Sequence, residues 1–239
     1  MLFPLRDLRK TLTRPIICWA LIGLNVVVFA YQWSLDASRS EALVERFGVI
    51  PDVLLHGGHA GSLITPLTSM FLHGGLGHVL GNLWFLFVFG DNVEEALGHA
   101  RFAFFYVACG LAAAATQVAI GPVSTVPMIG ASGAIAGVLG AYIVFFPRAR
   151  VLTFVPFFFL LEVPAFVYVF VWFALEVVRA SSSLGASSAD GGIAFFAHVG
   201  GFVAGVLLAG FFRRARAGAG RVGGGGDSGG RPRNLRVSE

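Results

Sequence analysis

A chain of 239 residues in which 56% are hydrophobic and 13% charged, with a mean hydropathy of +0.78, carries more apolar surface than a soluble domain of that size covers. The bilayer is therefore the expected solvent, and an ordinary soluble enzyme is excluded. The formal charge of +4 gathers at the two ends without interleaved aromatics, which argues against a nucleic-acid platform, and Cys18 and Cys109 lie in apolar runs, so no disulfide framework is expected.

A helix needs about 20 residues to cross hydrocarbon, and apolar runs predict spans over 15–33, 76–93, 102–120, 132–147, 163–180 and 193–212. The first follows Arg6, Arg9, Lys10 and Arg14, lacks a small-residue cleavage site and runs into "FAYQW", so it reads as a signal anchor. Its Tyr31 and Trp33 suit the far interface. Residues 34–75 form a long outer loop with "GVIPDVLL" and "SLITPLTSMFLHGG", too apolar to be freely solvated and expected partly on or in the outer leaflet. His56 and His59 in it read as plain surface residues. Arg148 and Arg150 separate the fourth and fifth spans. Glu162, before Pro164, is expected in a first helical turn, and Glu176 near the outer end of the fifth span, facing either the site or the interface.

Arg213, Arg214 and Arg216 follow the last span, and from Ala217 the Gly/Arg-rich chain is expected to be disordered. Basic flanks put both termini in the cytoplasm, which requires an even span count. The expected fold class is an all-α membrane protein, a six-transmembrane-helix bundle. It has a basic N-terminus (1–14), a membrane domain (15–212) and a cytoplasmic tail (213–239). A bacterial inner membrane is the expected location.

"MIGASGAIAGVLGAY" sets one hydroxyl, Ser132, at the head of the fourth span. From Ser132 to Pro147 the helix rises roughly 22 Å, against about 30 Å of hydrocarbon. With Arg148 at the cytoplasmic face, Ser132 lies roughly 8 Å below the outer surface. The irregular "GPVSTVPMIGA" then dips into the membrane, where exposed backbone needs protein cover or a water-filled cavity. A wet pocket ending at Ser132 is expected, open to the outer face.

Three parallel spans bring polar groups to one level: His78 and Asn82 in "GHVLGNLWFLFVFG", Ser132, and His198 in "AFFAHVGGFVAGVLLAG". Singly, each has a plainer reading. A membrane serine commonly bonds its own helix, and His78 with Asn82, at i and i+4, makes an interhelical clasp. An intramembrane histidine is functional by default. Gly201 and Gly205 form a GxxxG pair, while Ala136 and Gly140 follow Ser132 at i+4 and i+8, so the fourth and sixth spans are expected to touch. Serine needs a base to become a nucleophile, and His198 supplies one. No acidic residue stands at helical spacing from it; Asp190 is in the loop. A Ser–His dyad results, with Asn82, His78 and the Ser132 amide as donors to a developing oxyanion.

"GASG", "HVLGN" and "AHVGGFVAG", in this order on these spans, together resemble rhomboid intramembrane serine proteases, over roughly residues 15–212. The connection "FGDNVEEALGHARFAFFYVACG" looks like that family too. The resemblance implies six helices, Ser132 as nucleophile, His198 as base, and an oxyanion site from His78, Asn82 and the Ser132 amide. It matches His73 of "FLHGG" to a further histidine of the site architecture, and implies no cofactor. The implied partners are transmembrane protein substrates with small residues and a locally unstable helix near the cut, within a lipid bilayer. The number of copies is not legible. The Trp-Arg dipeptide of many members is absent from the first outer loop, and Ala136 stands where some members stack a tyrosine beneath the histidine, so another group must orient His198. A non-catalytic rhomboid-like protein that binds client transmembrane segments is the alternative, opposed by retention of Ser132 and His198. A metal or haem centre on His73, His78 and His198 is opposed by the lack of HExxH and by Ser and Asn as neighbours.

Overall fold

The computed structural model describes residues 3–57, 60–155, 159–183 and 195–222, and the described residues are mostly helical. Strand β1 (Phe3–Asp7) leads into α1 (Ile16–Ser34). Short helices α2 (Ala37–Phe47), α3 (Pro51–Leu55) and α4 (Thr65–Thr68) follow. The long helices α5 (Leu76–Leu97) and α6 (His99–Ile120) precede α7 (Ser132–Phe145). Strands β2 (Arg150–Val155) and β3 (Phe159–Pro164) come before α8 (Ala165–Ser183) and α9 (Phe195–Val222).

Among the described residues, Ile16–Ser34, His99–Ile120 and Phe195–Ala215 are long and apolar enough to cross a membrane. Leu76–Leu97 qualifies together with Gly61–Phe71, bent from it by 78°. Ser132–Phe145 and Ala165–Leu175 are shorter apolar helices. The helix ends have local causes. Gly98 adopts φ 80°, which favours glycine, and so turns α5 into α6 with a single intervening residue. The first amides of α1, left without intrahelical acceptors, donate to the buried Glu94 carboxylate: Ile17 N–H at 2.9 Å and Cys18 N–H at 2.7 Å. An anion at a helix N-terminus also suits the helix dipole. Phe89, Phe102, Phe105, Tyr106, Leu139 and Tyr142 fill the core between the long helices.

The seam between α7 and α9 is built from glycine. A methyl group on Gly201 would strike the Gly133 carbonyl, and one on Gly205 the Gly137 carbonyl. The contacts advance in step along both helices, which therefore run parallel. Gly133 faces Ala113 and Gly137 faces Cys109, so α6 runs the other way against the same face. Gly201, Gly205 and Gly140 are in the expected seam, Gly140 against Phe202 and Val206. Gly133 and Gly137 join them, a second GxxxG that the sequence displayed.

Three features depart from the expected layout. The chain is not all-α: β1, β2 and β3 form a three-stranded antiparallel sheet in that order. Phe3 pairs with Phe154 and Asp7 with Val151, so the sheet draws on the expected N-terminal tail. "RVLTFV" is rich in the β-branched and aromatic residues that suit strands. Glu162 consequently lies in β3, opposite Leu152 and 3.5 Å from Arg150, and the helix starts only after Pro164. Finally, α9 continues through Val222 into the stretch expected to be disordered from Ala217, because "RRARA" is made of strong helix formers. Residues 223–239 lie outside the described residues, as do His59 and Asp190 and the side chain of Glu176.

The 34–75 segment is a packed set of short helices. Asp36 caps α2 by accepting from the Arg39 amide at 2.9 Å. Val49 and Met128 exchange backbone hydrogen bonds of 3.0 and 2.7 Å, which tie the segment to the irregular chain before α7. His56 pairs with Asp52 on the exposed face of α3.

Candidate active site

The first turns of α5, α7 and α9 meet at one end of the bundle. Ser132 heads α7, and His198 is four residues into α9. Stepwise contact of the two glycine faces brings His198 Nε2 to 2.7 Å from Ser132 Oγ. With its proton on Nδ1, the imidazole accepts the serine hydroxyl hydrogen. Two aromatic rings flank the histidine. Trp172 of α8 lies 6.3 Å away at an interplanar 37°, and Phe195, one turn earlier on α9, approaches edge-on at 6.1 Å. These two rings take the orienting place that Ala136, fully buried and without a ring, leaves open.

His78 and Asn82 share one face of α5 and line the same cavity as Ser132 and His198. The Gly74 amide approaches His78 Nδ1 at 3.4 Å, leaving Nε2 to carry the ring proton. Asn82 is buried, and its Nδ2 has no hydrogen-bond partner among the described residues. Leaving such a donor unsatisfied costs about 1–3 kcal/mol, so the amide is poised for an acceptor that arrives from elsewhere. Gly130 holds the chain between these groups. Its φ of 121° favours glycine, and a Cβ there would sit 2.7 Å from His78 Nε2 and 3.6 Å from Asn82 Nδ2. Its amide is fixed by Ser69 O at 2.8 Å.

His73 stands behind His78, fully buried, with ring centroids 5.1 Å apart. Gln32, at the end of α1, holds the His73 backbone from both sides, donating from Nε2 to the carbonyl at 2.8 Å and accepting from the amide at 3.2 Å. Gly130 opens the expected "GASG", whereas neither Gln32, Trp172 nor Phe195 was expected at the site. Gln32 was visible as an amide near the end of an apolar span. The others carry no signal in sequence, because their role depends on neighbours from distant segments.

The shared cavity has a volume of about 770 Å³. Ser132, His198, His78 and Asn82 occupy one end of it; Leu80, Trp84, Phe85, Tyr168, Val171 and Leu175 make its walls apolar. It lies between α5 and α8, whose rings meet as Phe85–Trp172 at 6.4 Å and Phe89–Tyr168 at 5.9 Å. A second cavity of about 20 Å³, enough for roughly one water, touches Ser132, Gly130 and Ser69. The arrangement joins a proton acceptor, a hydroxyl, unpaired donors and an apolar groove.

Comparison with known proteins gives a consistent assignment. The Rhomboid domain family matches residues 60–215. Rhomboid protein 1, mitochondrial, of Saccharomyces cerevisiae is 28% identical over 201 residues, covering 82% of this chain and 53% of its own length. Rhomboid protease GluP of Bacillus subtilis is 30% identical over 128 residues, 54% of this chain and 24% of its own. Putative rhomboid protease YdcA of the same bacterium is 38% identical over 81 residues, 34% of this chain and 39% of its own. The chain thus matches from about a quarter to half of the length of these relatives.

Proposed function

From a chain that belongs to the rhomboid family and is an integral membrane protein, we propose an intramembrane serine protease that hydrolyses peptide bonds in or near transmembrane segments of other membrane proteins. The observation that carries this reading is the 2.7 Å contact between Ser132 Oγ and His198 Nε2 at the polar end of an otherwise apolar cavity.

Ser132 Oγ attacks the scissile carbonyl carbon while His198 Nε2 takes its proton. The carbonyl oxygen becomes an oxyanion, which the Asn82 amide, the His78 Nε2–H and the Ser132 backbone N–H stabilise. His198 then returns the proton to the leaving amine, and the acyl-serine is hydrolysed by a water that His198 deprotonates in turn. The water-sized cavity beside Ser132 supports the last step.

Six apolar helices, α1 and α5 to α9, cross the bilayer in this reading, with both termini in the cytoplasm. Arg6, Arg9, Lys10 and Arg14 before α1, Arg148 and Arg150 after α7, and Arg213 and Arg214 on α9 support that orientation. The site then opens to the opposite, outer face of a bacterial cell membrane. The 14 residues of α7 span roughly 21 Å, so Ser132 lies below that face, within about 30 Å of hydrocarbon. The substrates are single transmembrane segments that enter the apolar cavity.

The test uses purified full-length protein in proteoliposomes with a single-span substrate. A serine-directed fluorophosphonate should label the intact chain, and Ser132→Ala and His198→Ala should lose both labelling and cleavage, the latter by at least about 10³-fold. A chain that binds substrate but takes no label and cuts nothing would be a non-catalytic member that recognises client segments.

A further inference from the structure

The cavity does not end on the long helices. Beside Trp84 it is also lined by Phe3 of strand β1. The Phe3 ring stacks on Trp84 of α5, centroids 5.5 Å apart at 24°, and Trp84 Nε1 donates to the Pro4 carbonyl at 2.5 Å. The strand is held from three directions. Phe3 to Asp7 pair with β2. The Asp7 carboxylate accepts from Asn92 Nδ2 of α5 at 2.7 Å and from the Tyr142 hydroxyl of α7 at 2.5 Å. A segment anchored this firmly to α5, α7 and the sheet is part of the site's wall. Yet Phe3 keeps 39% of its surface exposed, so the ring is not spent on the core.

Resting on the protease reading above, we infer that the N-terminal strand belongs to the substrate site: Phe3 and Trp84 form a subsite for a large apolar side chain of the cleaved segment. The distance sets its position. On α5 Trp84 follows His78 by six residues and Asn82 by two, rises of about 9 Å and about 3 Å. Extended chain advances about 3.3 Å per residue, so the side chain that reaches Phe3 lies within about three residues of the cut bond. Gly81 leaves the α5 wall between His78 and Trp84 without a side chain, which gives an extended backbone room to lie there. An aromatic pair offers an aliphatic or aromatic side chain far more contact than it offers alanine.

Crosslinking and cleavage test this independently. A benzophenone side chain at position 3, in full-length protein carrying Ser132→Ala, is irradiated in proteoliposomes with the single-span substrate. Crosslinks should map to substrate residues within about three of the cut and exceed those from the exposed position 6 several-fold. Crosslinks no stronger than at position 6, or scattered along the substrate, overturn the inference. In the cleavage arm, intact protein should prefer leucine over alanine at that substrate position by about 10-fold. Phe3→Ala should reduce the preference to about two-fold, and the milder Phe3→Leu should keep most of it. An unchanged preference in a variant that labels normally overturns it. Crosslinks confined to one short stretch of the substrate, in a chain whose intact form never cuts, would uphold the strand's place in the groove and remove the protease reading alone.

Discussion

Two sides of Ser132 are built on opposite principles. Towards α9 the backbones touch: Gly133 lies against Gly201 and Gly137 against Gly205, with no side chain between them. Towards α5 and α8 the neighbours are large rings, Phe85 against Trp172 and Phe89 against Tyr168, around a cavity of about 770 Å³. Backbone cannot change rotamer, whereas a ring on a flexible side chain turns aside at modest cost. The first side fixes the distance between hydroxyl and imidazole. The second, on the proposed function, admits a segment whose sequence varies. Precision and adaptability are thereby assigned to different helix pairs, and a substitution's effect depends on which side it falls.

The largest effect should come from breaking the rigid side. In Gly201→Val the new side chain meets the Gly133 carbonyl and Cα, atoms of another helix with nowhere to go. Overpacking of this kind costs about 3 kcal/mol or more, and separation of α7 from α9 parts Ser132 from His198. Fluorophosphonate labelling should fall by at least about 100-fold, since a shift of about 1 Å at reacting groups costs that much. Gly81→Ala is the matched change on the adaptable side. Its Cβ meets nothing within 4 Å, so labelling and melting temperature should stay near those of the intact chain. Equal losses in the two variants would abolish the distinction.

Asn82→Ala separates catalysis from packing. Loss of one oxyanion donor costs about 10²–10³ in kcat. The same change deletes a buried amide nitrogen that has no partner among the described residues, so the melting temperature should hold steady or rise. Paired measurements of kcat and thermal unfolding decide. A clear drop in stability with little change in rate would make Asn82 a structural clasp between helices.

The contrast between the two sides also explains what the sequence disclosed. Helix order, the Gly201–Gly205 face and the shared level of His78, Asn82, Ser132 and His198 follow from local periodicity and charge, which a single strand of text records. Strand β2 does not: "RVLTFV" sits among apolar residues on every side, so its alternation has no polar contrast. Its partner β1 lies nearly 150 residues away in a stretch whose basic residues suggest a tail. Glu162 followed the same fate, since Glu two residues before Pro164 reads as a helix start until the strand opposite is known. Trp172 and Phe195 became neighbours of His198 only through folding. Contacts within a few residues were legible; those that join distant segments were not.

The smallest expected effect concerns how the floor of the adaptable side is held. Asp7 is partly withdrawn from water, and burial raises its carboxyl from 3.8 to about 6. Hydrogen bonds from Tyr142 and the Arg9 amide oppose the rise, Asp91 adds to it, and the Arg9 charge reduces it. Because the folded value lies above the unfolded one, the folded state binds more protons between pH 4 and 6, and stability declines as pH climbs through that window. The loss should be no more than about 1 kcal/mol once the partial exposure of Asp7 is allowed for. Asp7→Asn keeps an acceptor for Tyr142 and removes the titration. Its thermal stability should therefore vary less between pH 4.5 and 7.5 than that of the intact chain, and hydrogen exchange of residues 3–7, corrected for intrinsic rates, should follow the same pattern. If the slope persists in Asp7→Asn, the titrating group lies elsewhere, and β1 is held by its pairing with β2 and by the Trp84–Pro4 hydrogen bond alone.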